Sequence, residues 1–367
     1  MKIKKLYLLN YRNYEETYLD FNNNKTIIVG KNATGKTNLL EAVYFLSNLS
    51  SFRTNSDNEL VMFERDYSRI KGDIEKNETD ISLEVWINPG KRKVIKVNDI
   101  KKTKFVEFKE VLSTVKFTSS DLLIMRGGKK ERRDWLDEAI CQIYPSYYER
   151  IQKYTRIKDQ KNNLLKKYKQ LNIQNTDILD ILNEQLITCG SNIVFIRKKY
   201  ILEIKENVKK FHSKMSEGAE NLDIFYSSGI LKDEKNTVEE IAEIFKNKLE
   251  EHKEDEINSA KTLVGPHRDD IEFFINGKNC LNFSSLGQQR TVILALKLAE
   301  IEFIKEKKQE VPILLLDDVL AELDKERQNF LLSALDENMQ TIITTTDINN
   351  FDKEFLEGVD VISTEKK

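Results

Sequence analysis

The chain has 367 residues and a mass of 43.0 kDa, more than one ordinary domain holds, so two or three folding units are expected. Hydrophobic residues make up 40% and charged residues 33%, which suits a packed core and excludes a disordered chain. The 59 Lys and Arg against 61 Asp and Glu leave a formal charge of −2, which excludes a globally basic nucleic-acid protein but not a local basic surface.

Only 4 prolines occur, so long uninterrupted helices are expected. No apolar run reaches the ~18 residues of a membrane span. The stretch Met1–Tyr14 has no apolar segment followed by a small-residue cleavage site. Cys141, Cys189 and Cys280 are odd in number and far apart, which supports neither a disulfide framework nor a zinc site. The expectation is a soluble, cytoplasmic protein without membrane contact.

The first third is strand-rich. Met1–Leu9 and Glu15–Phe21 alternate, and Lys25–Val29 ends in Ile27, Ile28 and Val29, the apolar run of a buried strand. Ser50–Glu59 is polar and carries few signals. Asp80–Asn88 and Arg92–Asn98 alternate on either side of Pro89-Gly90, which predicts a hairpin.

The middle differs in charge. From Lys129 to Lys214 there are 19 basic and 11 acidic residues, a local charge of +8 in a chain of −2. Pro145 suits the start of a helix. Asn172–Thr176 reads as a polar turn. Beyond it Leu179, Leu182, Leu186, Cys189, Ile193, Ile196 and Tyr200 recur at alternating spacings of three and four, a heptad seam. Ile201, Ile204, Val208 and Phe211 continue it one register on. Two helices so joined fold back antiparallel, each arm on the order of 40–50 Å long.

The last third returns to α/β. Asp270–Ile275 and Lys278–Phe283 flank Asn276-Gly277, a strong hairpin signal. A long helix is expected from about Gly287, and buried strands at Pro312–Leu316 and Thr341–Thr345. The expected division is residues 1–128, an arm at 129–215, and residues 216–367.

Three segments carry chemistry. Gly30-Lys31-Asn32-Ala33-Thr34-Gly35-Lys36-Thr37 fits the G-x-x-x-x-G-K-[ST] pattern between a predicted strand and a predicted helix. Its backbone N–H groups would cradle phosphates at a helix amino terminus, with Lys36 reaching the β- and γ-phosphates and Thr37 reaching Mg²⁺. Ile313–Leu316 followed by Asp317-Asp318 places two carboxylates at the carboxyl edge of a sheet. Asp317 would hold Mg²⁺, directly or through water, and Asp318 would orient and deprotonate the attacking water. Alone, such a pair is more often a helix cap. Ser284-Ser285-Leu286-Gly287-Gln288-Gln289-Arg290 opens the long helix, and Ser285 by itself reads as a cap. Its place before the Asp317 strand matches the signature of ATP-binding-cassette proteins, which acts on the nucleotide of a second subunit. Ala321-Glu322-Leu323-Asp324 then takes the position of the D-loop, with Asp324 its carboxylate.

Asn10–Tyr14, the loop continued by Asn38-Leu39-Leu40-Glu41-Ala42, and Phe52-Arg53-Thr54 resemble the amino-terminal half of the RecF family. Gly127-Gly128 with Arg132–Asp137, Tyr154–Ile157 with Asn163–Lys166, and Thr262–Asp270 are similar to the same family, so the resemblance spans nearly the whole chain. It implies an α/β, ABC-type P-loop ATPase head of the Rad50 kind with an inserted antiparallel helical-hairpin arm. It also implies an ATP- and Mg²⁺-dependent homodimer that acts on single-stranded, duplex and gapped DNA in recombinational repair, with RecR and RecO as partners in loading RecA, and slow turnover. Three positions depart from the pattern. Ala33 replaces a common glycine, Thr346 stands where ABC transporters carry a switch histidine, and Asp318 is one methylene shorter than the usual ABC glutamate.

The basic arm is a candidate DNA contact. Between Arg150 and Lys169, the cations Arg150, Lys153, Lys158, Lys161, Lys166 and Lys167, with Arg156 and Lys169, stand against the single acid Asp159. Like charges so spaced repel, and a polyanion such as the DNA backbone would offset this without reading bases. His212 and His252 read as solvated. His267 admits either a structural hydrogen bond or a nucleotide- or DNA-facing role, and Arg12 either an approach to nucleotide or a strand-edge salt bridge. Two rivals remain at this stage: a non-catalytic SMC-like structural head and the nucleotide-binding subunit of an ABC transporter.

Overall fold

Apolar alternation in the first third builds an antiparallel sheet. Strands β1 (Lys2–Tyr11) and β2 (Tyr14–Asp20) pair with Leu8 opposite Thr17, while β3 (Lys25–Val29) leaves for a second sheet. Strands β4 (Ser68–Lys76), β5 (Thr79–Ile87), β6 (Val94–Val97) and β7 (Ile100–Lys102) complete the order β2-β1-β4-β5-β6-β7. The hairpin expected about Pro89-Gly90 forms, with Val85 opposite Ile95. β4 had no counterpart among the expected strands. Its inward positions are Ile70, Gly72 and Ile74, and a Cβ at Gly72 would lie 2.6 Å from Leu46, so close packing on helix Lys36–Asn48 hides the apolar alternation. Ile3, Leu6, Leu8, Ile70, Leu83 and Val85 bury against Leu39, Val43 and Leu46 of that helix. β8 (Thr114–Thr118), also unexpected, joins the second sheet.

The computed structural model describes residues 1–171, 177–233, 237–351 and 353–364. It resolves two compact units, Met1–Asp121 with Leu296–Lys367, and Leu122–Ala295.

The second unit contains helix Lys129–Ile143 and the hairpin of helices Ser146–Leu171 and Asp177–Met215, with 26 and 39 residues. At 1.5 Å per residue they run about 39 and 58 Å, so the second exceeds the expected length. The turn expected at Asn172–Thr176 lies outside the described residues. The buried stripe of the second helix also differs from the expected seam. Asn183, Gly190 and Arg197 are buried where Leu182, Cys189 and Ile196 were expected. The reason is tertiary. A Cβ at Gly190 would meet Phe245 at 2.6 Å, and Arg197 NH1 donates to the Pro266 carbonyl at 2.7 Å. These partners come from residues after the hairpin: β9 (Leu222–Ser227), helix Val238–Glu251, helix Lys253–Ser259, β10 (Asp270–Ile275) and β11 (Lys278–Asn279). The hairpin therefore packs within a larger unit than residues 129–215. The Asn276-Gly277 turn forms with φ of +49° and +75°, but its second strand stops after two residues. Asn279 accepts from the Leu281 N–H and caps a helical turn, Cys280–Phe283, where a strand was expected.

Helix Leu286–Lys308 starts among residues of the second unit and ends among those of the first. Strands β12 (Ile313–Asp317), β13 (Thr341–Thr345) and β14 (Val359–Ser363) then build a parallel sheet in the order β14-β3-β13-β12-β8. Its central strands are apolar runs buried on both faces, as parallel sheets require. Their shared direction brings the carboxyl ends of β3, β12 and β13 to one edge.

Candidate nucleotide site

The loop Gly30–Gly35 carries β3 into helix Lys36–Asn48. Gly35 has φ +106°, and a Cβ there would lie 2.6 Å from Asn13 Nδ2, so both backbone and neighbours demand glycine. Ala33 takes φ +67° with a side chain. Lys36 is buried and donates from Nζ to the carbonyls of Gly30 at 2.8 Å and Lys31 at 3.1 Å. Around the loop, Asn38 Nδ2 donates to Asn13 Oδ1 at 2.7 Å and Arg53 NH1 donates to Asn38 Oδ1 at 2.6 Å. Asn13 and Arg53 lie in segments that resemble the family, but sequence gave them no role. Lys31 and Asn32 are exposed on the loop, and Thr34 Oγ1 donates to the Lys31 carbonyl at 2.9 Å.

From the neighbouring strands, Asp317 Oδ1 accepts from Thr37 Oγ1 at 2.9 Å and from Thr344 Oγ1 at 2.7 Å. Burial pushes the Asp317 carboxyl up; the two hydroxyls oppose this, and the charge of Asp318 adds to it. A hydroxyl beside a carboxylate that burial disfavours as an anion is a donor set suited to a hard divalent cation, so Thr37 and Asp317 fit Mg²⁺. Thr344 had escaped notice, although a run of threonines closing a buried strand was a visible signal. Thr346, past the end of β13, is exposed.

Asp318 sits at φ +54°, and its N–H donates to Thr344 Oγ1 at 3.0 Å. Its carboxylate makes no capping bond to the turn Val319–Glu322. Asp tolerates the left-handed region better than longer side chains, which gives the shorter residue a physical reason. Asp324 is a cap, accepting from the Arg327 N–H at 2.9 Å and pairing with the Arg327 guanidinium.

Ser285, Gly287 and Gln288 belong to the second unit, whereas the loop, Asp317, Asp318 and Asp324 belong to the first. Ser285 caps its helix: its hydroxyl accepts from the Gln288 N–H at 3.2 Å, and Gln288 Oε1 accepts from the Ser285 N–H at 2.7 Å. Gln288 Nε2 donates to Glu220 at 2.7 Å. Ser285 is exposed between Phe283, 72% exposed, and Leu286, 40% exposed.

Arg12 spends all three nitrogens on protein acceptors. Nε and NH2 bind Glu41 at 2.9 and 2.7 Å, and NH1 binds the Glu59 carbonyl at 2.8 Å. The salt bridge is the arrangement found. His212 is wholly buried and not solvated, because it closes the apolar stripe Ile201, Ile204, Val208 of its helix. Its Nε2 lies 3.5 Å from Glu220, and burial lowers its pKa. His267 accepts at Nδ1 from Tyr154 OH at 2.7 Å and donates from Nε2 to the Thr262 carbonyl at 3.1 Å, a tautomer set by these partners. Burial pushes its pKa down to about 4.

The arm cations divide. Arg150, Lys153, Lys166 and Lys167 are exposed and Lys158 is partly covered. Lys161 is fully buried, 2.5 Å from Glu256, so it cannot meet DNA as expected. It falls at helical spacing among the buried residues Tyr154, Ile157, Leu165 and Tyr168, a pattern that marked its face in advance.

The sequence profile described as the RecF/RecN/SMC N terminal domain matches residues 2–366. The chain is 39% identical over 362 residues to the DNA replication and repair protein RecF of Bacillus thuringiensis (strain Al Hakam), covering 99% of this chain and 96% of that protein. RecF of Bacillus cereus (strain B4264) matches to the same extent. A solved structure of the recombination mediator protein RecF-ATP in the RecFOR pathway superposes with a TM-score of 0.89 at 35% identity, covering 95% of this chain and 93% of that one. An Smc head bound to the C-winged helix domain of ScpA superposes with a TM-score of 0.54 at 16% identity, covering 98% and 93%, a likeness of fold.

Proposed function

The chain belongs to the RecF family of ABC-type ATPases that serve DNA replication and repair, and from that premise we propose that it couples ATP binding and slow hydrolysis to clamping DNA as a homodimer. The observation that carries this reading is the edge of the parallel sheet, where Thr37 and Asp317 share a hydrogen bond beside Asp318. Gly30–Asn38 would cradle the phosphates, and Lys36 would exchange its carbonyl partners for the β- and γ-phosphates. Thr37 and Asp317 would hold Mg²⁺, which neutralises phosphate charge when bound. Asp318, free of capping duty, would orient and deprotonate the attacking water. Ser285, Gly287 and Gln288 would act on the nucleotide of a second copy, with Asp324 shaping the D-loop. Exposure of Phe283 and Leu286 beside Ser285 supports a surface that another copy covers.

For DNA, we assign the exposed cations Arg150, Lys153, Lys166 and Lys167, which favour duplex or single-stranded backbone at a gap over any base sequence. RecR, RecO and RecA complete the reading as partners. This favours a catalytic head over a structural one, since Asp317 and Asp318 are both present at the sheet edge.

The test is Asp318→Asn. Asn is at home at φ > 0, so the variant should fold, retain ATP, accumulate a dimer on gel filtration and lose roughly two to four orders of magnitude in turnover. Hydrolysis at the wild-type rate would place the catalytic carboxylate elsewhere. Replacing Arg150, Lys153, Lys166 and Lys167 together by Gln should flatten the salt dependence of DNA binding by about 0.9 per contact, roughly 3–4 in all, without changing ATP affinity. An unchanged slope would move the DNA contact off the arm.

A further inference from the structure

We propose that a cavity beside the arm's first helix is a binding site for a phosphoryl group, held by Arg133 and Lys158. The cavity has a volume of about 370 Å³, and its wall carries four cations, Lys130, Arg133, Lys158 and Arg197, against two carboxylates, Asp134 and Asp137. Its charges do not balance. Arg197 is spent on Asp137, with Nε–Oδ1 at 2.8 Å and NH2–Oδ2 at 2.7 Å. Lys130 is spent on Asp134 at 2.6 Å. Arg133 donates from NH1 to a carbonyl, that of Asp269, at 2.7 Å. Lys158 has Asp159 at 3.9 Å, an exposed neighbour on its own helix. Arg133 and Lys158 are thus the two wall cations that Asp134 and Asp137 do not hold in a close ion pair, although Asp269, Asp134 and Asp137 favour the Arg133 guanidinium and Asp159 lies 3.9 Å from Lys158.

The run Thr262–Asp270 explains how this arises. At Gly265 the chain takes φ +130°, and a Cβ would lie 2.4 Å from Tyr154 OH, so the backbone presses against the arm helix. The Pro266 carbonyl then receives Arg197, and the Asp269 carbonyl receives Arg133. His267, already bonded on both nitrogens, stays neutral and leaves ligand binding to the cations. The excess charge registers in its neighbours. Burial, and after it the charge of Arg197, push the Arg133 guanidinium down against the opposing charges of Asp269, Asp134 and Asp137, and Lys158, Arg268 and Arg133 add to the burial that depresses His267. A guanidinium fork and an ammonium from two different helices, with the Thr155 hydroxyl also on the wall, suit the several oxygens of a tetrahedral oxyanion.

The same group occurs on a nucleic-acid strand and as free phosphate, and the inference holds whether or not the exposed arm cations contact DNA. The full-length protein, with its P-loop saturated by Mg-ADP, is titrated with inorganic phosphate while the imidazole of His267 is followed by NMR and assigned with His267→Gln. Phosphate should shift that signal and raise its titration midpoint, because an anion offsets the two cations. The Arg133→Gln/Lys158→Gln variant should need about tenfold more phosphate or higher. Lys158→Gln alone repeats the measurement with a less buried position. A parallel titration with duplex DNA separates the sources: DNA affinity lowered by the variants assigns a strand phosphate, and unchanged DNA affinity with a lost phosphate response assigns free phosphate. A His267 signal indifferent to both, or a response equal in wild type and variants, overturns the site.

Discussion

Two lysines, one at the sheet edge and one in the arm, are almost equally buried and have partners of opposite kinds. Lys36 is 4% exposed and its partners are the carbonyls of Gly30 and Lys31. Lys161 is 0% exposed and its partner is a carboxylate, Glu256, itself 1% exposed. Carbonyls leave the ammonium's charge uncancelled, so Lys36 remains available to an anion. The carboxylate cancels it, and Lys161 is committed to the fold. The two differ in the charge of the partner, since burial is nearly the same for both, and the proposed function rests on that difference at Lys36.

The sharpest way to break this comparison is to remove Lys161. Burial pulls its pKa down and Glu256 offsets that pull, so loss of the ammonium strands a buried carboxylate. Lys161→Ala should destabilise the protein by about 3–5 kcal/mol, read from urea unfolding. Lys161→Met with Glu256→Gln should recover most of the loss, because Gln keeps an acceptor for the Leu263 N–H that Glu256 holds at 2.8 Å. A cost below about 1 kcal/mol for Lys161→Ala would mean an exposed lysine and return it to the DNA surface.

The same contrast explains what the sequence disclosed. The loop Gly30–Thr37, the Asp317-Asp318 pair and the Ser285 cap are local patterns whose geometry follows from neighbours in the chain. The arm's burial pattern is not local. Lys161 meets Glu256, Gly190 admits Phe245, and Arg197 reaches Pro266, all contacts across long stretches of sequence. A heptad count assumed that two helices bury only against each other, and so misplaced Asn183, Gly190 and Arg197. Strands β4 and β9 were missed for a related reason, since their alternation is interrupted by Gly72 in one and diluted by polar residues in the other.

A smaller effect separates a neutral buried group from the cations around it. His267 titrates near 6.5 when unfolded and at about 4 in the fold. The unfolded chain therefore binds the proton first as pH falls, and the stability present above pH 6.5 is lost progressively down to about pH 4. The difference corresponds to about 3 kcal/mol. His267→Gln should remove this part of the acid sensitivity in urea unfolding measured at pH 7 and pH 4.5, leaving a residue from His212, whose pKa burial also lowers. Equal acid sensitivity in wild type and variant would show that His267 is hydrated and that its bonds to Tyr154 and Thr262 do not hold it.

The smallest effect bears on the sheet edge itself, where backbone conformation rather than charge does the selecting. Ala33 and Gly35 both have φ > 0, at +67° and +106°, but only Gly35 is closed in by Asn13 and Tyr14. Ala33 is exposed, and its φ carries a backbone cost of about 1–2 kcal/mol for a residue with a Cβ in the left-handed region. Ala33→Gly removes that strain, while the greater freedom of glycine in the unfolded chain returns roughly 0.5–1 kcal/mol. The net gain should be about 1 kcal/mol or less, visible as a small rise in the urea midpoint at constant m. Gly35→Ala should do the reverse and more, since its Cβ would stand 2.6 Å from Asn13 Nδ2 and displace the Asn13–Asn38 bond. If Ala33→Gly destabilised the protein instead, the loop would not hold the left-handed turn at residue 33, and the phosphate cradle built on it would need a different backbone.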